Sequence, residues 1–207
     1  VRGPREVSEE GILAAWLAAT YHPLGGGPRL TELYIVQTSG CCPRRLTHSE
    51  GNAENVAPAW SPDGTQVAYT GCPDGSSGSC AIHVIAVDGG APRRLTDPLA
   101  HRPAWSPDGA RIAFCSSAGR NILVVDAEGK EVHKLAVGRL PAWTLGGQIA
   151  FWAGDGAPYT LSVIREDGAE VGPLDGAVTV YDQRYYPWRE WVWTPGDDPL
   201  TLEAPRS

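Results

Sequence analysis

Cys72 and Cys80 are the two side chains of this sequence that are best placed to react with each other. They flank the seven-residue stretch Pro-Asp-Gly-Ser-Ser-Gly-Ser, which is flexible enough to close on itself. A disulfide there would indicate an oxidising compartment. Because there are five cysteines, at least one has no partner within the chain. If Cys72 pairs with Cys80, the unpaired residue is among Cys41, Cys42 and Cys115. Zinc is not predicted, since neither a Cys-x-x-Cys pair nor a correctly spaced histidine pair occurs.

Three histidines could share a site, although they lie far apart in sequence. His22, His48 and His101 all fall in segments that we expect at one loop-rich rim of the fold. No acid or serine recurs beside them, so separate histidines are the simpler interpretation. The motifs Gly-x-Ser-x-Gly, His-Glu-x-x-His and Gly-x-x-x-x-Gly-Lys are absent. The sequence therefore predicts no catalytic residue, no metal, no cofactor and no enzyme activity.

Two aspartates occur in identical Ser-Pro-Asp-Gly motifs, where a metal ligand or an acid would be the functional interpretation. A turn explains them better, because Asp caps backbone N–H groups and Gly takes the left-handed conformation. We expect Asp63-Gly64 and Asp108-Gly109 to be structural turns.

An aromatic cluster near the end of the chain is the candidate partner surface. Tyr and Trp are common anchors of protein interfaces. Trp191 and Trp193 alternate around Val192, as residues on the two faces of a strand would. Packing in the core is the simpler interpretation of one face of this predicted strand. The other face is the candidate surface for binding a partner protein. The cluster comprises Tyr185, Tyr186, Trp188, Trp191 and Trp193.

The elements that must position these residues form a repeat. Pro-Ala-Trp begins at Pro58, Pro103 and Pro141, with intervals of 45 and 38 residues, and Pro187-Trp188 is a degraded fourth copy. Each copy continues through a turn, a short apolar strand, a variable loop, a second strand, a Gly-containing turn and a last strand. Four short antiparallel strands in about 40 residues are typical of a propeller blade, and such thin units must stack to bury both faces.

The repeated series Pro-Ala-Trp-Ser-Pro-Asp-Gly, Ile-Ala-Phe, Asp-Gly-Gly and Arg-Arg-Leu-Thr resembles the TolB-type, WD40-like repeat family over residues 12–176. The resemblance implies an all-β, small β-propeller of bacterial origin. It also implies a non-catalytic scaffold that contacts other protein subunits in a larger extracytoplasmic or membrane-associated assembly. The alternatives are the propeller portion of a peptidase-like protein and a ligand- or sugar-binding propeller.

The repeat predicts one propeller domain over residues 1–207. Its units are 12–50, 55–100, 101–138 and 139–176, and 177–207 is a closing segment. The first unit lacks its first strand, so we expect pairing of the N- and C-terminal segments to close a ring of four blades. Five blades, or a fragment of a six-bladed ring, are the alternatives.

Composition excludes some partners. The 207 residues carry a formal net charge of −7, which gives no general attraction for nucleic acid. No apolar run reaches the ~18 residues that a membrane span requires. The chain begins with Val and contains no Met, so we expect a processed product from which a signal or anchor was removed. We expect a periplasmic, secreted or cell-surface location.

Overall fold

A computed structural model of the chain describes residues 13–21, 30–37, 44–116, 120–154, 159–173 and 179–180. These residues form strands and turns and contain no helix, so no helix among them could cross a membrane. The all-β prediction is confirmed for this part of the chain. The strands are β1 Leu13–Tyr21, β2 Leu30–Gln37, β3 Arg44–Arg45, β4 Glu54–Trp60, β5 Gln66–Cys72, β6 Ala81–Ala86, β7 Arg93–Arg94, β8 Ala100–Trp105, β9 Arg111–Ser116, β10 Asn121–Asp126, β11 Val132–Trp143, β12 Gln148–Ala153, β13 Tyr159–Arg165, β14 Glu170–Pro173 and β15 Thr179–Val180.

The strands pair with their sequence neighbours in four antiparallel units. The first unit is β1 to β3 and the second is β4 to β7. The third is β8 to β10 with the first half of β11, and the fourth is the second half of β11 with β12 to β14. A parallel pair between Thr31 and Glu54 joins the first two units into one sheet. Within the described residues neither of the two sheets closes on itself.

The long strand β11 belongs to two units at once. Residues up to Val137 pair with β10, and residues from Gly138 onward pair with β12. The predicted boundary between units 101–138 and 139–176 falls inside this continuous strand. Gly138 permits close packing there: a Cβ on Gly138 would lie 2.5 Å from the Phe151 ring and 2.5 Å from the Trp152 carbonyl oxygen.

The hydrophobic core lies between units, not inside them. Each apolar cluster combines side chains from two successive units. In the second and third units, the second strand turns large residues toward the preceding unit and alanine toward the following one. Ile112 and Phe114 pack on the second unit, for example, and Ala113 packs on the fourth. This follows from the two-residue period of a strand, and it makes every unit depend on its neighbours.

A buried carboxylate adds a polar tie between the first and second units. Glu32 is 4% exposed, and its oxygens accept hydrogen bonds from Arg45 Nη2 at 2.6 Å, Ser49 N at 2.6 Å and Asn55 Nδ2 at 3.1 Å. The hydroxyl of Thr47 donates a further hydrogen bond. All these donors converge on one ion, which compensates for its loss of water.

Candidate functional site

The described units have two unlike ends. At one end, which we call the turn end, lie the Ser-Pro-Asp-Gly turns. Asp63 Oδ1 accepts hydrogen bonds from Ser61 Oγ at 2.6 Å and Thr65 N at 3.1 Å, and Gly64 has φ +69°. The Ser61 hydroxyl is the main cause that lowers the Asp63 pKa, and the Thr65 N–H adds to it.

The second turn repeats this geometry. Asp108 Oδ1 accepts hydrogen bonds from Ser106 Oγ at 2.6 Å and Ala110 N at 3.0 Å, and Gly109 has φ +71°. The same two bonds lower the pKa of Asp108, with the Ser106 hydroxyl as the larger cause. Both carboxylates are therefore committed to holding their turns.

The opposite end, which we call the loop end, carries the connections that follow β5 and β9. There Cys72 and Cys80 form a disulfide, and the cysteines are 4% and 2% exposed. Asp74 organises the enclosed loop, because its carboxylate accepts hydrogen bonds from the Ser76 N–H and the Ser79 hydroxyl. The loop is thus closed covalently and braced internally.

The first strands of the second, third and fourth units contact one another in series, and we call them the inner strands: β4, β8 and the second half of β11. Each contains a bulge at the residue that precedes Pro-Ala-Trp. Ala57, Arg102 and Leu140 have φ of 51°, 56° and 55°, a left-handed conformation that non-glycine residues seldom adopt. Because the bulge recurs at three equivalent positions, it is a regular feature of these inner strands.

The bulge turns its backbone N–H toward the preceding unit, where a side chain accepts it. Thr70 Oγ1 accepts the hydrogen bond of Arg102 N at 2.9 Å. The equivalent position of the third unit holds Cys115, whose sulfur is hydrogen-bonded to the backbone of Leu140 and, at 3.4 Å, to the carbonyl oxygen of His101. Cys115 is thus the counterpart of Thr70 and holds two units together.

His101 lies where the disulfide loop meets β8. The backbone of Ser77 hydrogen-bonds its imidazole, while Nε2 is buried without a hydrogen-bond partner among the described residues. Burial is the main cause that lowers the pKa of His101. The imidazole is therefore held in its neutral form near pH 7.

The backbone brings basic residues from three segments near this point. Arg102 follows His101 on β8, and Arg139 precedes the bulge of β11. Arg120 is exposed, and its carbonyl oxygen accepts the Gly138 N–H at 2.6 Å. The Arg139 guanidinium lies over the Tyr159 ring with Cζ 4.8 Å from the centroid. We call Arg102, Arg120 and Arg139 the arginine cluster.

Burial makes Cys115 a weak nucleophile at this point. Burial raises the pKa of the Cys115 thiol, although Arg102 and Arg139 oppose that shift. A protonated thiol is a weak nucleophile. Within the described ranges, no group of three or more His, Cys, Asp and Glu side chains is placed to hold a metal ion. The Arg139 guanidinium is a cationic hydrogen-bond donor whose Nε has no hydrogen-bond partner among the described residues.

The other predicted site residues are dispersed or lie outside the described ranges. His48 is exposed in the connection between β3 and β4, and no described contact joins it to His101. His22 and the cluster of Tyr185, Tyr186, Trp188, Trp191 and Trp193 fall outside the described residues, so both proposals stay predictions.

Sequence reasoning missed the arginine cluster. Its members occur in two units and share no motif, since Ala57 and Leu140 occupy the places equivalent to Arg102. The one available signal was the variable residue that precedes each Pro-Ala-Trp.

No family model matches this sequence, and no curated protein matches it. Among solved structures, TolB from Acinetobacter baumannii aligns with a TM-score of 0.64 and 22% identity, covering 79% of this chain and 41% of that one. A putative TolB from Agrobacterium tumefaciens aligns with a TM-score of 0.58 and 22% identity, over 82% and 59% of the two chains. A puromycin-hydrolyzing peptidase from Mycobacterium tuberculosis aligns with a TM-score of 0.60 and 20% identity, covering 83% of this chain and 30% of that one.

These similarities show the fold, which is a TolB-like β-propeller architecture. The chain spans about two fifths to three fifths of the length of the two TolB structures.

Proposed function

We propose that this chain is a non-catalytic propeller scaffold that binds a protein partner through its loop end. The observation that carries the proposal is the arginine cluster on the inner strands, beside a covalently closed loop. Cationic donors on rigid strands suit recognition. A protonated Cys115 and a neutral, half-buried His101 do not form an activated nucleophile and base.

We further propose that the protein works outside the cytoplasm, as a subunit of a larger assembly. The disulfide between Cys72 and Cys80 supports this location, because such bonds persist mainly in oxidising compartments. The predicted aromatic cluster would then supply a second contact surface.

The proposal has a structural part, in which the two ends of the chain pair to close the ring of blades. β1 pairs only with β2 among the described strands, so its other edge has no strand partner there. An open edge of this kind favours pairing with another strand. We propose that the segment around Tyr185–Trp193 supplies that strand and completes four blades, with a fifth incomplete blade as the alternative.

Affinity capture with the tagged full chain tests the scaffold role. We expect a partner protein at a fixed stoichiometry in native mass spectrometry of the eluted complex. Turnover of ester or peptide substrates by the purified chain, without a stoichiometric partner, would contradict the proposal.

The second candidate is the propeller portion of a peptidase-like or ligand-binding protein. The similarity to the mycobacterial peptidase structure is the observation that favours it. Retention on a glycan column, or increased selectivity of a hydrolase domain supplied in trans, would support this candidate.

A further inference from the structure

The arginine cluster contains a guanidinium with unused hydrogen-bonding capacity. Nε of Arg139 is buried without a hydrogen-bond partner among the described residues. The ion pairs found in that part of the chain join other side chains: Arg45 with Glu32, Arg94 with Asp97, Arg111 with Glu166 and His133 with Glu131. A buried donor without an acceptor is costly, so a ligand that supplies one gains affinity.

The position of Arg139 determines what kind of acceptor fits. Its guanidinium stacks on the face of Tyr159, which is fully buried. The N–H groups of a guanidinium point outward in its plane, so stacking on Tyr159 does not use them. The edge that carries them matches the two oxygens of a carboxylate.

The backbone places the other two arginines close by. Cys115 contacts both His101 and Leu140, which are the neighbours of Arg102 and Arg139 in sequence. The Arg120 carbonyl accepts the N–H of Gly138, the residue before Arg139. Positive charge is therefore concentrated at one point of a chain whose net charge is −7.

An exposed apolar residue lies two positions before Arg139 on the same strand. Val137 immediately precedes Gly138, and it is 42% exposed, one of three large hydrophobic residues exposed in the described part of the chain. A free inorganic anion would gain nothing from it, whereas a peptide with neighbouring acidic and apolar residues would use both.

We propose that the loop end of the third and fourth units binds an acidic peptide segment of the partner, with the edge of Arg139 gripping a carboxylate and Val137 contacting an adjacent apolar side chain. Arg102 and Arg120 add charge on either side. This inference rests on the proposed scaffold function and names the chemistry of the partner.

Fluorescence anisotropy with the full chain tests the site. The probe is a fluorescein-labelled peptide that alternates leucine with glutamate, and its control has glutamine at each glutamate. We expect the glutamate peptide to bind at least about tenfold more tightly, as charge-assisted bonds predict. Arg139→Gln should remove most of that preference, and Arg139→Lys should restore part of it, because it keeps the charge without the planar edge.

The matched control is Arg165→Gln, the same change at an exposed arginine of the turn end. It should alter affinity by less than about twofold, since exposed charges at that distance are screened by salt. If Arg139→Gln unfolds, Arg120→Gln serves instead, with an expected loss of about threefold. Equal binding of the two peptides, or equal losses at Arg139 and Arg165, would overturn the proposal.

Competition distinguishes other anions. Trigalacturonate or inorganic phosphate that displaces the labelled peptide at lower concentration than unlabelled peptide would also refute a peptide site.

Partner capture separates the two proposals. If Arg139→Gln captures the partner as well as the native chain, the carboxylate site is wrong and the scaffold stands. If no partner is captured but the glutamate preference depends on Arg139, the scaffold fails and the site stands.

Discussion

Cys115 acts in this fold as a hydrogen-bonding group, in the place where the preceding unit has Thr70. We expect Cys115→Ser to keep the free energy of unfolding within about 1 kcal/mol, because a hydroxyl still bonds the Leu140 N–H. Cys115→Val should cost about 1–3 kcal/mol, since it leaves that buried N–H without an acceptor. Urea denaturation measures both changes.

Thr70→Val and Thr70→Ser are the matched pair for this experiment, because Thr70 accepts the N–H of Arg102 at 2.9 Å. The two valine variants should lose similar amounts. A Cys115→Val protein as stable as the native one, beside an unstable Thr70→Val, would show that the sulfur is not a significant acceptor.

Acid should destabilise the protein in two stages. Burial lowers the pKa of His83 and of His101 below 6.5, so the unfolded chain takes up these protons first and stability falls as the pH drops below 6.5. Hydrogen bonds lower the pKa of Asp63 and Asp108 below 3.8. Their stabilisation is complete above 3.8 and is lost at lower pH.

Urea midpoints between pH 7.5 and 3 measure this profile. The double change His83→Gln and His101→Gln should flatten the first stage, whatever its effect on stability at pH 7. An unchanged slope in the double variant would assign the first stage to other groups.

At the scale of elements, the inner-strand bulges hold strain that one substitution can reduce. Ala57 has φ 51°, a conformation that glycine adopts without steric strain because it has no Cβ. We expect Ala57→Gly to raise stability by about 0.5 kcal/mol, because relieved strain of roughly 1–2 kcal/mol exceeds the added chain entropy. Ala86→Gly, in the ordinary strand β6, should lower stability by about 0.5–1 kcal/mol. Thermal unfolding of the pair checks the opposite signs.

The sequence predicted the elements well where residue types recur. Pro, Asp and Gly specify each turn by their own conformational limits, and the alternation of large residues with Ala follows from the strand period. Arg45 and Arg94, two equivalent residues, even make the same bond, from Nε to a threonine carbonyl oxygen at 2.7 Å.

The bulges and the arginine cluster depend instead on contacts between units. Leu140 and Arg102 have no local reason to adopt positive φ; the acceptors Cys115 and Thr70 in the preceding units, 25 and 32 residues away in sequence, stabilise it. The continuity of β11 likewise required knowing that Phe151 packs against Gly138. Such features need the partner strand, which a single segment does not reveal.

At the scale of the whole molecule, the burial of the alanine in a unit's second strand shows whether a following unit packs against it. Ala68 and Ala113 are fully buried, whereas the equivalent Ala150 of the fourth unit is partly exposed. We expect Ala113→Leu to destabilise by about 1–3 kcal/mol through overpacking. Ala150→Leu should cost clearly less. Equal losses in urea denaturation would indicate that the closing segment packs on this face as tightly as a complete unit does.

The shared strand β11 also sets where such a chain can be recombined. Irregular connections at 46–53 and 95–99 separate the first three units, so they offer seams at which a unit could be exchanged, duplicated or grafted. Between the third and fourth units there is no seam, because one uninterrupted strand supplies backbone bonds to both. Those two units would be inherited, transplanted or lost together, as a single module twice the size of its neighbours.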